Sequence, residues 1–277
     1  MKKIIVPVDF SKHSEYALEA AATLARKHDS EILALHMLEL SNAIISDDSN
    51  SKQAEAVFYL KLAEQKFTDF LEKPYLKEVK VTPIVKHFKV FGEVNDVAKE
   101  HNADLIVMGS HGSSGIKELF IGSNTEKVVR HADIPVLVVK HHPILMDFEN
   151  VVFACDFSKE AIKPYINASN LFKLFGSKLH LVYVNLPGTN FKSSTEIELK
   201  VADFLKVADG NLDNMQNVHY VNDYSIEQGI LNFANVKGAD LIAVATHGRT
   251  GLSHFFEGSI SEDIANHSTL PVMTFKI

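Results

Sequence analysis

Residues 103–139 read ADLIVMGSHGSSGIKELFIGSNTEKVVRHADIPVLVV, and residues 239–275 read ADLIAVATHGRTGLSHFFEGSISEDIANHSTLPVMTF. The two stretches run in step at an offset of 239 − 103 = 136. Ala103-Asp104-Leu105-Ile106 returns as Ala239-Asp240-Leu241-Ile242, and His111-Gly112 returns as His247-Gly248. Gly122-Ser123 and Pro135-Val136 return as Gly258-Ser259 and Pro271-Val272. Upstream, Asp9-Phe10-Ser11-Lys12 returns as Asp156-Phe157-Ser158-Lys159, at an offset of 156 − 9 = 147. Matches that keep their order mark an internal repeat. The difference, 147 − 136 = 11, locates an eleven-residue net insertion around residues 39–60, where the first half carries the Ser/Asn/Asp-rich stretch Ser41 to Ser51. The boundary falls near His141-His142-Pro143, where an apolar run ends and proline blocks its continuation. Two domains are therefore expected, 1–142 and 143–277.

Each half alternates strand and helix patterns. In the first, strands are predicted at 4–8, 31–38, 79–87, 104–108 and 136–139. Helices are predicted at 12–28, 52–72, 93–101 and 123–131. Ser11 is the expected N-cap of the first helix, whose Ala17, Leu18, Ala21, Leu24 and Ala25 recur at helical spacing. Ala56, Phe58, Leu60, Leu62, Ala63, Phe67, Phe70 and Leu71 are expected on the buried side of the second. The second half repeats the order, with strands near 150–154, 178–184, 217–221, 240–244 and 272–276, and helices near 159–174, 195–209, 225–236 and 259–267. Such alternation predicts a doubly wound, Rossmann-like parallel α/β sheet in each half, with right-handed crossovers.

Composition agrees with a folded chain. The 277 residues are 46% hydrophobic and 23% charged, with 28 Lys/Arg against 35 Asp/Glu, a net charge of −7. A backbone-phosphate binder carries a basic excess, so nucleic acid is not the expected partner. The one cysteine, Cys155, excludes an internal disulfide or multi-cysteine zinc site and suits a reducing compartment. The first apolar run stops at Asp9, short of a signal-peptide core, and no stretch reaches the roughly 18–20 apolar residues of a membrane span. A cytoplasmic location is expected, with no membrane association.

In a doubly wound sheet, ligands bind beyond the carboxyl ends of the strands. Two segments reach that edge: Pro7-Val8-Asp9-Phe10-Ser11, and the run from Gly109 through His111 and Gly112 to Gly122-Ser123-Asn124-Thr125. The second is a glycine-bearing loop that opens a helix. Glycines let the backbone approach a ligand, and a helix N-terminus offers free N–H groups suited to phosphate. A competing reading makes Ser123-x-x-Glu126 and Ser259-x-x-Glu262 capping boxes. Capping accounts for the serines, but not for the same glycine loop and its histidine in both halves. Phosphate binding is therefore the favoured reading. P-loop, Gly-x-Gly-x-x-Gly, Gly-x-Ser-x-Gly and His-Glu-x-x-His patterns are absent. Cys155 reads as a packed thiol, and His141-His142 as solvated surface.

Gly109-x-x-Gly112, nine residues, then Gly122-Ser123, preceded by Asp-Leu-Ile-Val-Met and with Pro-Val-Asp-Phe-Ser at the start, resembles the nucleotide motif of the universal stress protein family. The resemblance covers the chain as two tandem copies. It implies five-stranded sheets of order 3-2-1-4-5 and an adenine nucleotide, ATP first, with ADP or AMP as alternatives. By that resemblance Pro7, Val8 and Asp9 line the adenine and ribose, and Met37 meets the adenine. Met108, Gly109, His111 and Gly112 start the phosphate loop, and Gly122, Ser123, Asn124 and Thr125 hold phosphates. Asp9 is also a candidate to assist Mg²⁺. The second copy has Ala154, Cys155 and Ala245 in place of Pro7, Val8 and Gly109, and keeps Asp156, Val184, His247, Gly248, Gly258, Ser259 and Ser261 as a weaker site. No residue is assigned a catalytic role, since no general base stands beside the phosphates. At most slow ATP hydrolysis or autophosphorylation is expected. The alternatives are a stress scaffold that works through an unknown protein partner without nucleotide and, last, ATP pyrophosphatase chemistry. Single-copy relatives pair through their last strands. The two halves are therefore expected to pack as an intramolecular pseudo-dimer, in a chain that is a monomer or a homodimer.

Overall fold

Five apolar residues in a row, Ile4 to Val8, must be covered on both faces, and that makes Lys3–Val8 (β1) a central strand. Ile4, Ile5 and Val6 are fully buried. The computed structural model describes residues 1–38, 50–87, 93–110, 122–142, 146–246 and 260–277, with the backbone alone at 50–56, 87 and 260–262. The chain divides into two units, Met1–Met146 and Asp147–Ile277.

In the first unit β1 is followed by Lys12–His28 (α1), Glu31–Leu38 (β2), Asn50–Leu71 (α2), Val81–His87 (β3), Val94–His101 (α3), Leu105–Gly109 (β4), Ser123–His131 (α4) and Val136–Val139 (β5). All pairings are parallel, and the order is β3-β2-β1-β4-β5. The second unit repeats the plan with Asn150–Ala154 (β6), Ile162–Phe175 (α5), Lys178–Asn185 (β7), Ser194–Ala208 (α6), Val218–Asn222 (β8), Ile226–Lys237 (α7), Leu241–Thr246 (β9), Ile260–His267 (α8) and Val272–Lys276 (β10). Its order is β8-β7-β6-β9-β10, again parallel. Both orders are the expected 3-2-1-4-5.

The repeated Ala-Asp-Leu-Ile has a mechanical cause. Asp104 accepts the Lys3 N–H at 3.0 Å, while its own N–H donates to the Lys3 carbonyl at 2.9 Å. Asp240 does the same with Asn150, at 2.8 and 2.9 Å. Each aspartate ties the start of its fourth strand to the start of its first and sets their register. Helix α1 begins where Ser11 accepts the Ser14 N–H at 3.3 Å, and its buried face includes the predicted Ala17, Leu18, Ala21, Leu24 and Ala25.

Helix α2 departs from the expected buried side. Ala63, Phe67 and Phe70 are buried, but Phe58 is 61% exposed, Leu60 40% and Leu62 37%. At 100° per residue, Phe58 and Leu62 stand off the 63-67-70 line, and Leu60 lies on it but a turn short of the packing against Phe10. Ala56 has no described side chain. Helix α5 starts at Ile162 rather than 159. Pro164 lacks the N–H that an earlier start would need.

Gly109 is required by close packing. A Cβ there would stand 2.6 Å from the His13 carbonyl oxygen of α1. Gly109→Ala is expected to destabilise the protein by about 1–3 kcal/mol, as overpacking does. A urea melt with an unchanged midpoint would contradict this contact.

Candidate functional site

The carboxyl end of β1 lies between those of β2 and β4, so the residues ending these strands share one edge of the sheet. Pro7 and Val8 are buried and Asp9 is half-buried. The chain turns there from strand into helix. One carboxylate oxygen of Asp9 accepts the Ser11 N–H at 3.0 Å, an Asx turn, and Phe10 adopts a left-handed φ of 62°. The second unit repeats both features: Ser158 N–H donates to Asp156 at 3.0 Å, and Phe157 has φ 54°. A bulky residue in this region is strained by about 1–3 kcal/mol. The repeated Asp-Phe-Ser is thus a corner as well as a candidate contact.

His36, which the motif comparison passed over, braces this corner. Its Nδ1 lies 2.7 Å from the Val8 carbonyl oxygen, which can only accept, so Nδ1 carries the proton. Its ring packs on Phe10 at 4.5 Å between centroids. Burial lowers its pKa below 6.5. The Val8 hydrogen bond opposes the shift, Lys66 adds to it and Asp9 opposes it. An aromatic ring at the equivalent place in the second unit, Tyr183 against Phe157, was the sequence signal for this brace.

Met37 and Met108 fall on the same face of the sheet, in the cluster with Ile5, Leu35 and Val138. Beyond Met108, the Ser110 N–H donates to Val139 at 2.9 Å, and the Gly122 N–H donates to the Ser110 carbonyl at 2.7 Å. Residues 110 and 122 are therefore one hydrogen bond apart. The Thr125 hydroxyl, buried, donates to the Gly109 carbonyl at 2.8 Å. That proton serves the base of the loop, and the Thr125 N–H is the group it leaves for a ligand. His111 and Gly112 lie outside the described residues, as do His247, Gly248, Gly258 and Ser259, and Ser261 is described by its backbone alone.

The capping box at Ser123-x-x-Glu126 does not form. Gly122 occupies the N-cap position without a side-chain hydrogen bond, Ser123 is exposed at the first helical position, and Glu126 pairs with Arg130 at 2.7 Å. Helix α4 thus presents its first-turn N–H groups, with the positive end of its dipole, to the strand edge without a capping side chain. For magnesium, Asp9 offers one carboxylate. Among the described residues no three His, Cys, Asp or Glu side chains cluster, so a cation here would take its other ligands from phosphate and water.

The second unit holds an open cavity of about 300 Å³ between the ends of β6 and β7. Asp156 and Val184 line it, with Cys155, Tyr183, Lys192 and Lys200. Cys155 is buried, and burial pushes its thiol pKa up, so it is a packed thiol as expected. The lysines come from α6 and from the segment after β7, and the repeat gave no cue to them.

Comparison with known proteins follows the same division. The universal stress protein family matches residues 1–140 and again 147–276. Universal stress protein MJ0577 of Methanocaldococcus jannaschii is 30% identical over 153 residues, covering 50% of this chain and 94% of that one. A solved universal stress protein from Archaeoglobus fulgidus aligns over 99% of this chain and 96% of its own, at 24% identity and a TM-score of 0.65, a likeness of fold. The solved complex of a universal stress protein with cAMP matches 50% of this chain and 96% of that chain at 19% identity and a TM-score of 0.35, and bears on that protein alone. Among the described residues no helix is long and apolar enough to cross a membrane.

The His36 environment makes a titration prediction. With its folded pKa below 6.5, His36 supports stability fully above pH 6.5, and that support is lost as pH falls below it, because the unfolded chain takes the proton first. NMR titration is expected to place the ring below 6.5, and Asp9→Asn is expected to lower it further. A rise in the variant would contradict the placement of Asp9.

Proposed function

The chain belongs to the universal stress protein family in both of its halves, and from that premise we propose that it binds an adenine nucleotide, ATP, in residues 1–142. The observation that carries this reading is the uncapped start of α4 behind two pinned glycines at the carboxyl edge of the sheet. The N–H groups of Ser123, Asn124 and Thr125 suit phosphate oxygens there. Pro7, Val8 and Met37 suit an adenine, and the Asp9 carboxylate suits a ribose hydroxyl or a phosphate-bound Mg²⁺. His111 and Gly112 complete the loop in this reading. An acidic protein of net charge −7 needs a local source of positive potential for a triphosphate, and a helix terminus is one.

The second copy keeps only part of the motif, with Ala245 putting a methyl where Gly109 has none. Turnover is slow at most, because one oxygen of the Asp9 carboxylate is engaged in its turn to Ser11. A single buried cysteine suits work in the cytoplasm. A second reading, a scaffold for a protein partner, is favoured by the exposed Val57, Phe58, Leu60 and Leu62 on α2.

Calorimetry on nucleotide-free protein tests the two. ATP with Mg²⁺ is expected to bind one equivalent per chain. Gly122→Asp, which sets a negative charge at the α4 terminus, is expected to weaken it by more than about tenfold, ~1.4 kcal/mol. No heat with ATP, ADP or AMP would overturn the nucleotide reading and leave the scaffold.

A further inference from the structure

The cavity of the second unit is lined by charges of both signs that do not pair with each other. Asp156 stands at the end of β6 with one carboxylate oxygen in its turn to Ser158. Lys200 reaches in from α6, its ammonium 5.9 Å from the centroid of the Tyr183 ring. Glu160 adds a second carboxylate and Lys192 a second ammonium. Among the described residues no ion pair joins any of these acids to either lysine. The wall between them is apolar, formed in part by Val182, Val184, Ile226 and Ile230.

The rim is built rather than incidental. Asn185, 5% exposed at the end of β7, donates to the Lys192 carbonyl and accepts the Lys192 N–H, each at 3.0 Å. This pair of hydrogen bonds holds the segment after β7, and the backbone of Lys192 with it, along the cavity. The late start of α5 leaves Glu160 outside the helix, at the same mouth.

A ligand of one sign would satisfy either Asp156 or Lys200, both half-buried, and leave the other uncompensated. A compact zwitterion with an apolar body satisfies both ends at once, and about 300 Å³ is at the small end of ligand cavities. We propose that this cavity binds a free α-amino acid with a branched aliphatic or aromatic side chain, its ammonium on Asp156, its carboxylate on Lys200 and its side chain against Ile226 and Ile230. The site is separate from the nucleotide reading of the first unit and does not rest on it.

Calorimetric titration of the full chain with L-leucine and L-phenylalanine tests this, beside 4-methylpentanoate, which lacks the amine, and isoamylamine, which lacks the carboxylate. One amino acid is expected to bind per chain, and each truncated probe to bind at least about tenfold more weakly than leucine. Asp156→Asn, which can keep the turn to Ser158, and Lys200→Met, which keeps the length of the side chain, are each expected to weaken amino-acid binding by about tenfold or more. Circular dichroism melts of both variants verify folding. Leu186→Trp, which fills the cavity from its rim, supplies an independent block should either charge variant unfold. Gly122→Asp is expected to leave amino-acid binding unchanged whether or not ATP binds the first unit. No binding of either amino acid up to about 10 mM, a weak-binding limit, overturns the proposal. So does equal binding of a truncated probe, or displacement of the amino acid by ATP in the Gly122→Asp variant.

Discussion

Both units depend on one hydrogen bond, the N–H of a serine donated to the aspartate two residues before it. At Asp9 and Ser11, and again at Asp156 and Ser158, it forces the intervening phenylalanine into a left-handed backbone that L-residues avoid. The strain is offset locally. Phe10 packs its ring on His36, Phe67 and Phe70, and Phe157 packs on Tyr183 and Phe204. Ser11 then caps α1. The strand end, the start of the first helix and the packing of the second helix are in this way fixed by a single corner. Everything at the ligand edge is positioned from it.

From the same corner the two units diverge. In the first, Gly109 lets α1 begin directly after Ser11, with no room for a Cβ between them. In the second, position 245 is alanine, Pro164 stands where an early helix would need an N–H, and α5 begins at Ile162. Of the residues released from the helix, Glu160 lines a cavity instead. Two copies of one plan thus offer different chemistry: a bare helix terminus in one, opposed charges around an apolar wall in the other.

The fold was largely legible in the sequence. Strand runs such as Ile4–Val8, and helix faces such as Ala17-Leu18-Ala21-Leu24-Ala25, are local patterns with one way to be buried. The second helix misled, because its apolar residues outnumber the positions that meet the sheet. The candidate site was legible as motif and less so as geometry. Ser123 looked like a cap, and Gly122 occupies that position instead. Thr125 looked like a ligand hydroxyl, and its proton lies on Gly109. His36 and Lys200 belong to no motif, since each acts through a partner distant in sequence, and Asn185 acts through the backbone of Lys192.

The repeat, the alternation and the family likeness are properties of residue order, and order alone determined them: hydrophobic period and recurrent spacing survive without coordinates. Which hydroxyl caps, which histidine braces and which charges are left facing one another were decided by tertiary structure. Those outcomes depend on distances of 2.7 to 5.9 Å between residues 16 to 28 positions apart. Hydrogen bonds and Coulomb forces act across space rather than along the chain.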